Sequence, residues 1–201
     1  MIEHLRPALA LLGGLTLLTG VAYPLAITGI AQIALPAPAG GSLVAVDGKV
    51  VGSRLIGQSF TDPKWFHGRP SATSAADPND PTKTVDAPYN AANSSGSNLG
   101  PLAGKLVERV KGDVEALKAE TGADRVPADA VTTSASGLDP DVSPAYARLQ
   151  AKRVAVARGL SSEAIEALIA AKTRGRDLGV LGEPRVNVLE LNLALAGLGA
   201  S

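Results

Sequence analysis

Cysteine is absent from the chain, and histidine nearly so, with only His4 and His67. Without a thiol there is no disulfide, no thiolate metal site and no cysteine nucleophile. An imidazole metal centre or a Ser-His-Asp arrangement would have to rest on His67 alone, because His4 stands at the extreme N-terminus. We read His67 as a hydrogen-bonding loop histidine instead. Aromatic residues are 3% of the chain against 45% hydrophobic residues, so the core has to be built from Leu, Val, Ile and Ala. A charge excess is missing too, since 19 Lys and Arg face 19 Asp and Glu. Nucleic-acid binders need a basic surplus for their phosphate contacts, so that class is set aside. No catalytic residue and no metal site follows from these residue types.

What the sequence does contain begins with a stretch that has no charge between Arg6 and Asp47. Within it residues 7–35 are apolar, preceded by a short N-terminal segment, residues 1–6. As a helix this run reaches about 43 Å, enough to cross a hydrocarbon core of about 30 Å once and not twice. Pro36 and Pro38 close it. Ala37-Pro38-Ala39 resembles a signal-peptide cleavage site. The apolar region of a signal peptide is about 7–15 residues, however, so a retained transmembrane helix is favoured over a cleaved signal. Thr16, Gly20, Pro24 and Thr28 recur every four positions and form a narrow stripe of small residues. Such a stripe lets another helix approach in the membrane, the alternative being an inert anchor. Pro24 should kink the helix in mid-span. Arg6 abuts one end, whereas Lys49 and Arg54 lie some way beyond the other. This bias weakly favours a cytoplasmic N-terminus.

Residues 36–201 read as one soluble domain, which makes the whole an α+β protein on a single N-terminal transmembrane helix. Asp47-Gly48 between two apolar runs predicts a β-hairpin over residues 42–53. The region of about 61–100 carries Pro70, Pro78, Pro81 and Pro88 among many Ser, Thr, Asn and Asp, and reads as a long loop. About four helices follow. The first runs from Pro101 to Thr121, with Leu102, Leu106, Val110, Val114 and Leu117 on one face. The second spans 144–158 between a Ser143 cap and Gly159; the third follows Ser161 and ends at Gly175; the last begins near Asn187. Asp77, Asp80 and Asp86 fit no calcium loop and read as turn formers. Asp139 and Asp141, ahead of Ser143, read as helix-capping residues rather than an acid/base pair. Arg148, Lys152, Arg153 and Arg158 leave one helix strongly basic, serving either a partner or solvent.

Residues 93–101, NSSGSNLGP, raise the question of a phosphate cradle. A Walker A loop needs a lysine after its last glycine, and neither Gly96 nor Gly100 has one. What is left is a tight turn ahead of a helix N-terminus, which by itself is a weak anion signal.

Seven motifs in order resemble one family: LRPAL (5–9), GSRLIGQSF (52–60), WFHGRPSA (65–72), YNAANSSGSNLGP (89–101), SASGLDP (134–140), RVAVARGLS (153–161) and RVNVLELNLAL (185–195). Together they resemble the C subunit of the Kdp potassium-transporting P-type ATPases. The resemblance implies an accessory, non-catalytic subunit of a bacterial inner-membrane potassium-uptake complex. Its partners would be a channel-like A subunit, an ATPase B subunit and a small F peptide, with the soluble domain on the periplasmic side. It also implies an alternative, a catalytic chaperone that raises the B subunit's affinity for ATP. In that case nucleotide would meet Ser94, Ser95, Gly96, Ser97 and Asn98, and ATP would be reached through the complex rather than firmly held as a cofactor. The family's loop has a glycine where Ser95 stands, which weakens the cradle. Residues of about 73–88 read as an insertion. A hydrolase built on His67 and a serine is disfavoured.

Overall fold

The computed structural model describes residues 2–198, and the chain divides into two units between Ser53 and Arg54.

In the first unit, α1 (Leu5–Leu17) and α2 (Tyr23–Ala34) form one helix of 30 residues, joined by a π-turn over Leu18–Ala22. At about 1.5 Å per residue it is about 45 Å long. None of its residues is buried, and Ile33 is 87% exposed. The winding continues through Pro24, and the irregularity lies directly before it. Proline gives no N–H to the carbonyl four residues back and crowds it; a widened turn makes that room. Thr19 Oγ1 donates to the Leu15 carbonyl at 2.7 Å inside the same stretch. A one-turn helix, α3 (Pro36–Ala39), leads into the hairpin of β1 (Leu43–Val46) and β2 (Lys49–Ser53). Asp47 and Gly48 both take positive φ, 51° and 76°, as the primed hairpin turn requires.

The second unit holds a short hairpin and the domain proper. β3 (Ser74–Ala76) pairs with β4 (Thr84–Asp86), so the expected long loop contains a small ladder. Asp77 and Asp80 shape its turn by accepting the N–H groups of Asn79 and Thr82 at 2.8 and 3.1 Å. The helix α4 (Gly104–Thr121) begins three residues later than expected, with Ala103 before it, and leaves Leu102 95% exposed. α5 (Pro144–Arg158) and α6 (Ser162–Lys172) match their sequence signals. Ser143 Oγ accepts the Tyr146 N–H at 3.0 Å and Ser161 Oγ the Ala164 N–H at 3.2 Å, while Gly159 closes α5 at φ 65°. α6 stops short of Gly175 because Thr173 turns into a strand.

A small antiparallel sheet runs in the order β5 (Asp141–Val142), β7 (Arg185–Asn187), β6 (Thr173–Arg174), with Val186 opposite both Val142 and Thr173. α7 (Val188–Leu198) follows β7 directly, and Asn187 Oδ1 accepts the Glu190 N–H at 3.1 Å as its cap. The core gathers Val154, Ile165, Ile169, Val186, Leu191 and Leu195, all at 0% exposure. Phe66, from a loop, fills it at the same depth.

Candidate functional site

A loop can carry Phe66 into the core only if its backbone polar groups find partners there. Two side-chain amides supply them. Asn192 of α7, 2% exposed, accepts the Phe66 N–H and donates to the Phe66 carbonyl, both at 2.9 Å. Gln150 of α5 does the same for His67, accepting its N–H at 2.7 Å and donating to its carbonyl at 3.1 Å. Each amide offers one donor and one acceptor, as a neighbouring strand would. Arg153 then ties the loop down from outside, donating to the carbonyls of Pro63 and Trp65 and to Gln150, and pairing with Glu120 at 3.1 Å. Arg158 lies over the Trp65 ring at 4.8 Å and donates to the Leu195 carbonyl. Arg148 pairs with Glu166 at 3.3 Å, and Lys152 stays exposed. Two of the four cations on α5 are therefore internal fasteners.

His67 is a loop histidine, its Nε2 lying 3.2 Å from the Asp62 carbonyl. Burial, with the Arg153 charge next, holds its pKa below the usual value, so the ring is neutral at pH 7.

Beyond His67 four motif loops converge. The Arg69 guanidinium meets Asp139 at 2.8 Å, and Asp139 also accepts the Asp141 N–H. Asp141 accepts from Asn187 at 3.1 Å. These two aspartates brace loops and strands; neither caps α5, whose cap Ser143 is itself held by Asp129 at 2.6 and 3.0 Å. Burial raises the Asp141 carboxyl above its ordinary range, with Asn187 acting against it. Tyr89 donates its hydroxyl to the Arg69 carbonyl at 2.7 Å and packs where side chains at Gly57 and Gly68 would stand. Burial pushes the Tyr89 phenol well up and that of Tyr146 to about 12, so both are donors and neither is a base near neutrality.

The Ser94–Asn98 loop lies against this cluster rather than at a helix start. Ser95 N–H and Ser94 Oγ donate to the Ser136 carbonyl at 3.0 and 2.9 Å, and Ser95 Oγ to the Ala72 carbonyl at 3.3 Å. A Cβ on Gly96 would come within 2.8 Å of the Ala135 carbonyl oxygen, so the close backbone approach is toward residue 135. Ser94 and Ser95 thus bond to their own chain, and so does Ser97, whose hydroxyl accepts from that of Thr133 at 3.4 Å. Ser97 alone of the five lines a cleft of about 560 Å³, together with Ser71, Thr133, Asp86, Lys105, Arg109 and Asp113. Asn98 is exposed at φ 51°.

The cleft's charges balance, two cations against two acids. Arg109 Nη1 is spent on Asp113 at 2.8 Å and the Val131 carbonyl at 3.1 Å, and its Nη2 is buried without a partner among the described residues. Lys105 is the exposed cation there. Among the described residues no group of His, Asp and Glu is placed to hold a metal ion.

On the first unit the small-residue stripe is open. Gly20 has Thr16 Cγ2 at 4.0 Å as the nearest atom to an added Cβ, and Gly13, Gly14 and Gly29 have nothing within 4 Å. An α-helix advances about 40° past a full turn every four residues. The wider π-turn offsets part of that drift between Thr16 and Pro24, which keeps the stripe nearer one line.

Sequence reasoning missed the two amide clamps and the meeting of the four loops. The turn residues Gly57, Gly68, Gly96 and Gly137 were the available signal, since each stands where a Cβ would strike another loop.

A family model described as KdpC: K+-transporting ATPase, c chain, matches residues 5–197. A protein of Methylobacterium nodulans named potassium-transporting ATPase KdpC subunit is 64% identical over 195 residues, 97% of each chain. Proteins of the same name from Bradyrhizobium diazoefficiens and Methylorubrum extorquens are 63% and 62% identical, covering 97% and 98% of each chain.

Proposed function

The chain belongs to the KdpC family, the c chain of K+-transporting ATPases, and from that premise we propose that it is an accessory, non-catalytic subunit that stabilises the assembly of the pump's channel-like A, ATPase B and small F subunits. The observation that carries this reading is the 30-residue helix Leu5–Ala34, uncharged from residue 7 onward and with no residue buried. Such a surface is not stable in water, and in lipid its stripe of Thr16, Gly20, Pro24 and Thr28 suits close packing by a neighbouring helix. The span would sit in the bacterial inner membrane with the second unit on the periplasmic side, in keeping with Arg6 beside its N-terminal end. Removing residues 1–36 should abolish co-purification with the other subunits. Recovery of an intact assembly without them would refute the reading.

A second reading, direct contact with ATP, is favoured by one observation, Ser97 sharing a cleft with Lys105 and Arg109. The balanced charge of that cleft speaks against tight binding of a polyphosphate anion by this chain alone. Titration of the full chain in detergent with ATP tests it, and absence of any shift removes it. A reporter fused after Ser201 gives the side of the membrane independently.

A further inference from the structure

Between β6 and β7 the chain forms a stiff finger that the core does not use. Asp177 and Leu181 exchange both backbone hydrogen bonds, at 2.8 and 2.9 Å. Arg176 grips both carboxylate oxygens of Glu183 at 2.7 and 2.6 Å, and Arg185 meets Asp177 at 3.1 Å. At the tip Leu178 and Gly179 both have positive φ, 52° and 77°. That turn favours Asn-Gly; a leucine there is strained. The strained leucine is also 90% exposed, with Val180 at 73% and Leu181 at 58%. Folding gains nothing from an apolar side chain held in solvent at a conformational cost, so the gain lies elsewhere.

We propose that Leu178, Val180 and Leu181 form a docking finger that enters an apolar groove on a partner subunit of the same pump. The proposal rests on the reading of the chain as a pump subunit. Two observations choose the occupant. First, Arg174 at the finger's base shares Glu190 with Arg54, at 2.7 Å each, and Arg54 is where the chain enters this unit from the membrane-anchored one. The finger's base is therefore tied to the first residue of this unit, the point on the chain that leads back to the apolar helix. Second, the finger carries no aromatic residue, and its arginines are paired within it or with Glu190 and Asp141. A lipid-seeking loop would offer free cations and interfacial aromatics; neutralised charge around aliphatic tips suits a protein groove. A second copy fits less well. The apolar groove of this unit, about 370 Å³ and lined by Pro63, Leu149, Val156 and Ala157, lies on other elements. Finger-to-groove contact between copies would be head-to-tail.

The cysteine-free chain allows a single environment-sensitive fluorophore at Leu178→Cys in the full-length protein. Emission should shift to the blue when the labelled chain joins the purified A, B and F subunits in detergent. Emission that stays water-like in a complex that does form overturns the proposal. So does a blue shift in phosphatidylethanolamine–phosphatidylglycerol vesicles holding the chain alone, which assigns the tip to lipid. A concentration-dependent shift in detergent without the pump assigns it to a second copy, with the same consequence. Leu178→Asn relieves the turn and removes the anchor. It should keep or raise the melting temperature while weakening retention on the pump at least tenfold, a split that a purely structural role would not give. If the wild-type chain itself fails to join the pump, the subunit reading falls and takes the finger with it, an outcome distinct from a finger that stays wet in an assembled complex.

Discussion

Replacing Asn192 by leucine tests the account of how the Trp65–His67 loop is held. The substitution keeps volume and apolar packing against Phe66 but deletes both bonds to its backbone. Phe66 is 0% exposed, so water cannot replace them. Each orphaned buried group costs about 1–3 kcal/mol, giving about 2–6 kcal/mol for the pair against a domain stability of about 5–15 kcal/mol. A middle value of about 4 kcal/mol lowers the melting temperature by roughly 8–16 °C for a unit of this size. Trp65 is the chain's single tryptophan and adjoins the clamp, so its fluorescence during thermal unfolding of the full chain in detergent reads the event directly. Gln150→Leu frees three groups, the His67 N–H and carbonyl and one Arg153 N–H, but it should cost less because all three are only half-buried and water can reach them. Asn192→Asp adds a pH signature. A buried carboxyl that must donate to the Phe66 carbonyl has its pKa raised on folding, so this variant's stability is present at low pH and lost as pH rises through that pKa. An Asn192→Leu melt within about 2 °C of wild type, or a Gln150→Leu variant that is the weaker of the two, would refute the reasoning.

Three further outcomes are expected. Gly96→Val should lower the melting temperature, because its Cβ meets the Ala135 backbone, whereas exposed Asn98→Ala should leave it within a few degrees; only Asn98→Ala is therefore a clean probe of ATP affinity in a titration. For His67, whose pKa is lowered in the fold, the unfolded state binds more protons as pH falls below about 6.5. Stability should decline from pH 7.5 to pH 5, measured by urea titration, and His67→Gln should flatten that slope. Gly68→Ala places a methyl on the Tyr89 hydroxyl, and adding Tyr89→Phe should recover part of the lost melting temperature.

Local signals in the chain were legible because the physics behind them is local. Ser143 and Gly159 bound α5, Asn187 caps α7, and Asp47-Gly48 turns the first hairpin, as their positions in the sequence indicate. Pro101 misled, since its fixed φ suits a helix start but equally a preceding turn, and the turn prevailed at Gly100–Ala103. The β3–β4 ladder was hidden by three-residue strands, Ser-Ala-Ala and Thr-Val-Asp, too short and too exposed to show the apolar alternation of a half-buried strand. Asp139 and Asp141 look like cap residues in the sequence because the partners they use instead, Arg69 and Asn187, lie 70 and 46 residues away. The Ser94–Asn98 loop was legible as a tight loop, while its attachment to Ser136 was not, for the same reason of distance along the chain.

The amide clamps also set an order of events in synthesis. Phe66 waits for a partner 126 residues downstream and His67 for one 83 residues downstream. A ribosome adding about 5–20 residues per second takes about 6–25 seconds to span the longer gap. Through that interval the Trp65–His67 segment and its apolar side chains have no seat, and the loops that hang from Arg69 have no fixed base. The domain therefore closes late, from its far end, and the emerging chain is open to proteases and to holding chaperones until α7 arrives. A stalled or truncated chain lacking α7 would still carry the whole apolar helix Leu5–Ala34, so quality control has to recognise such a product by its unfinished second unit.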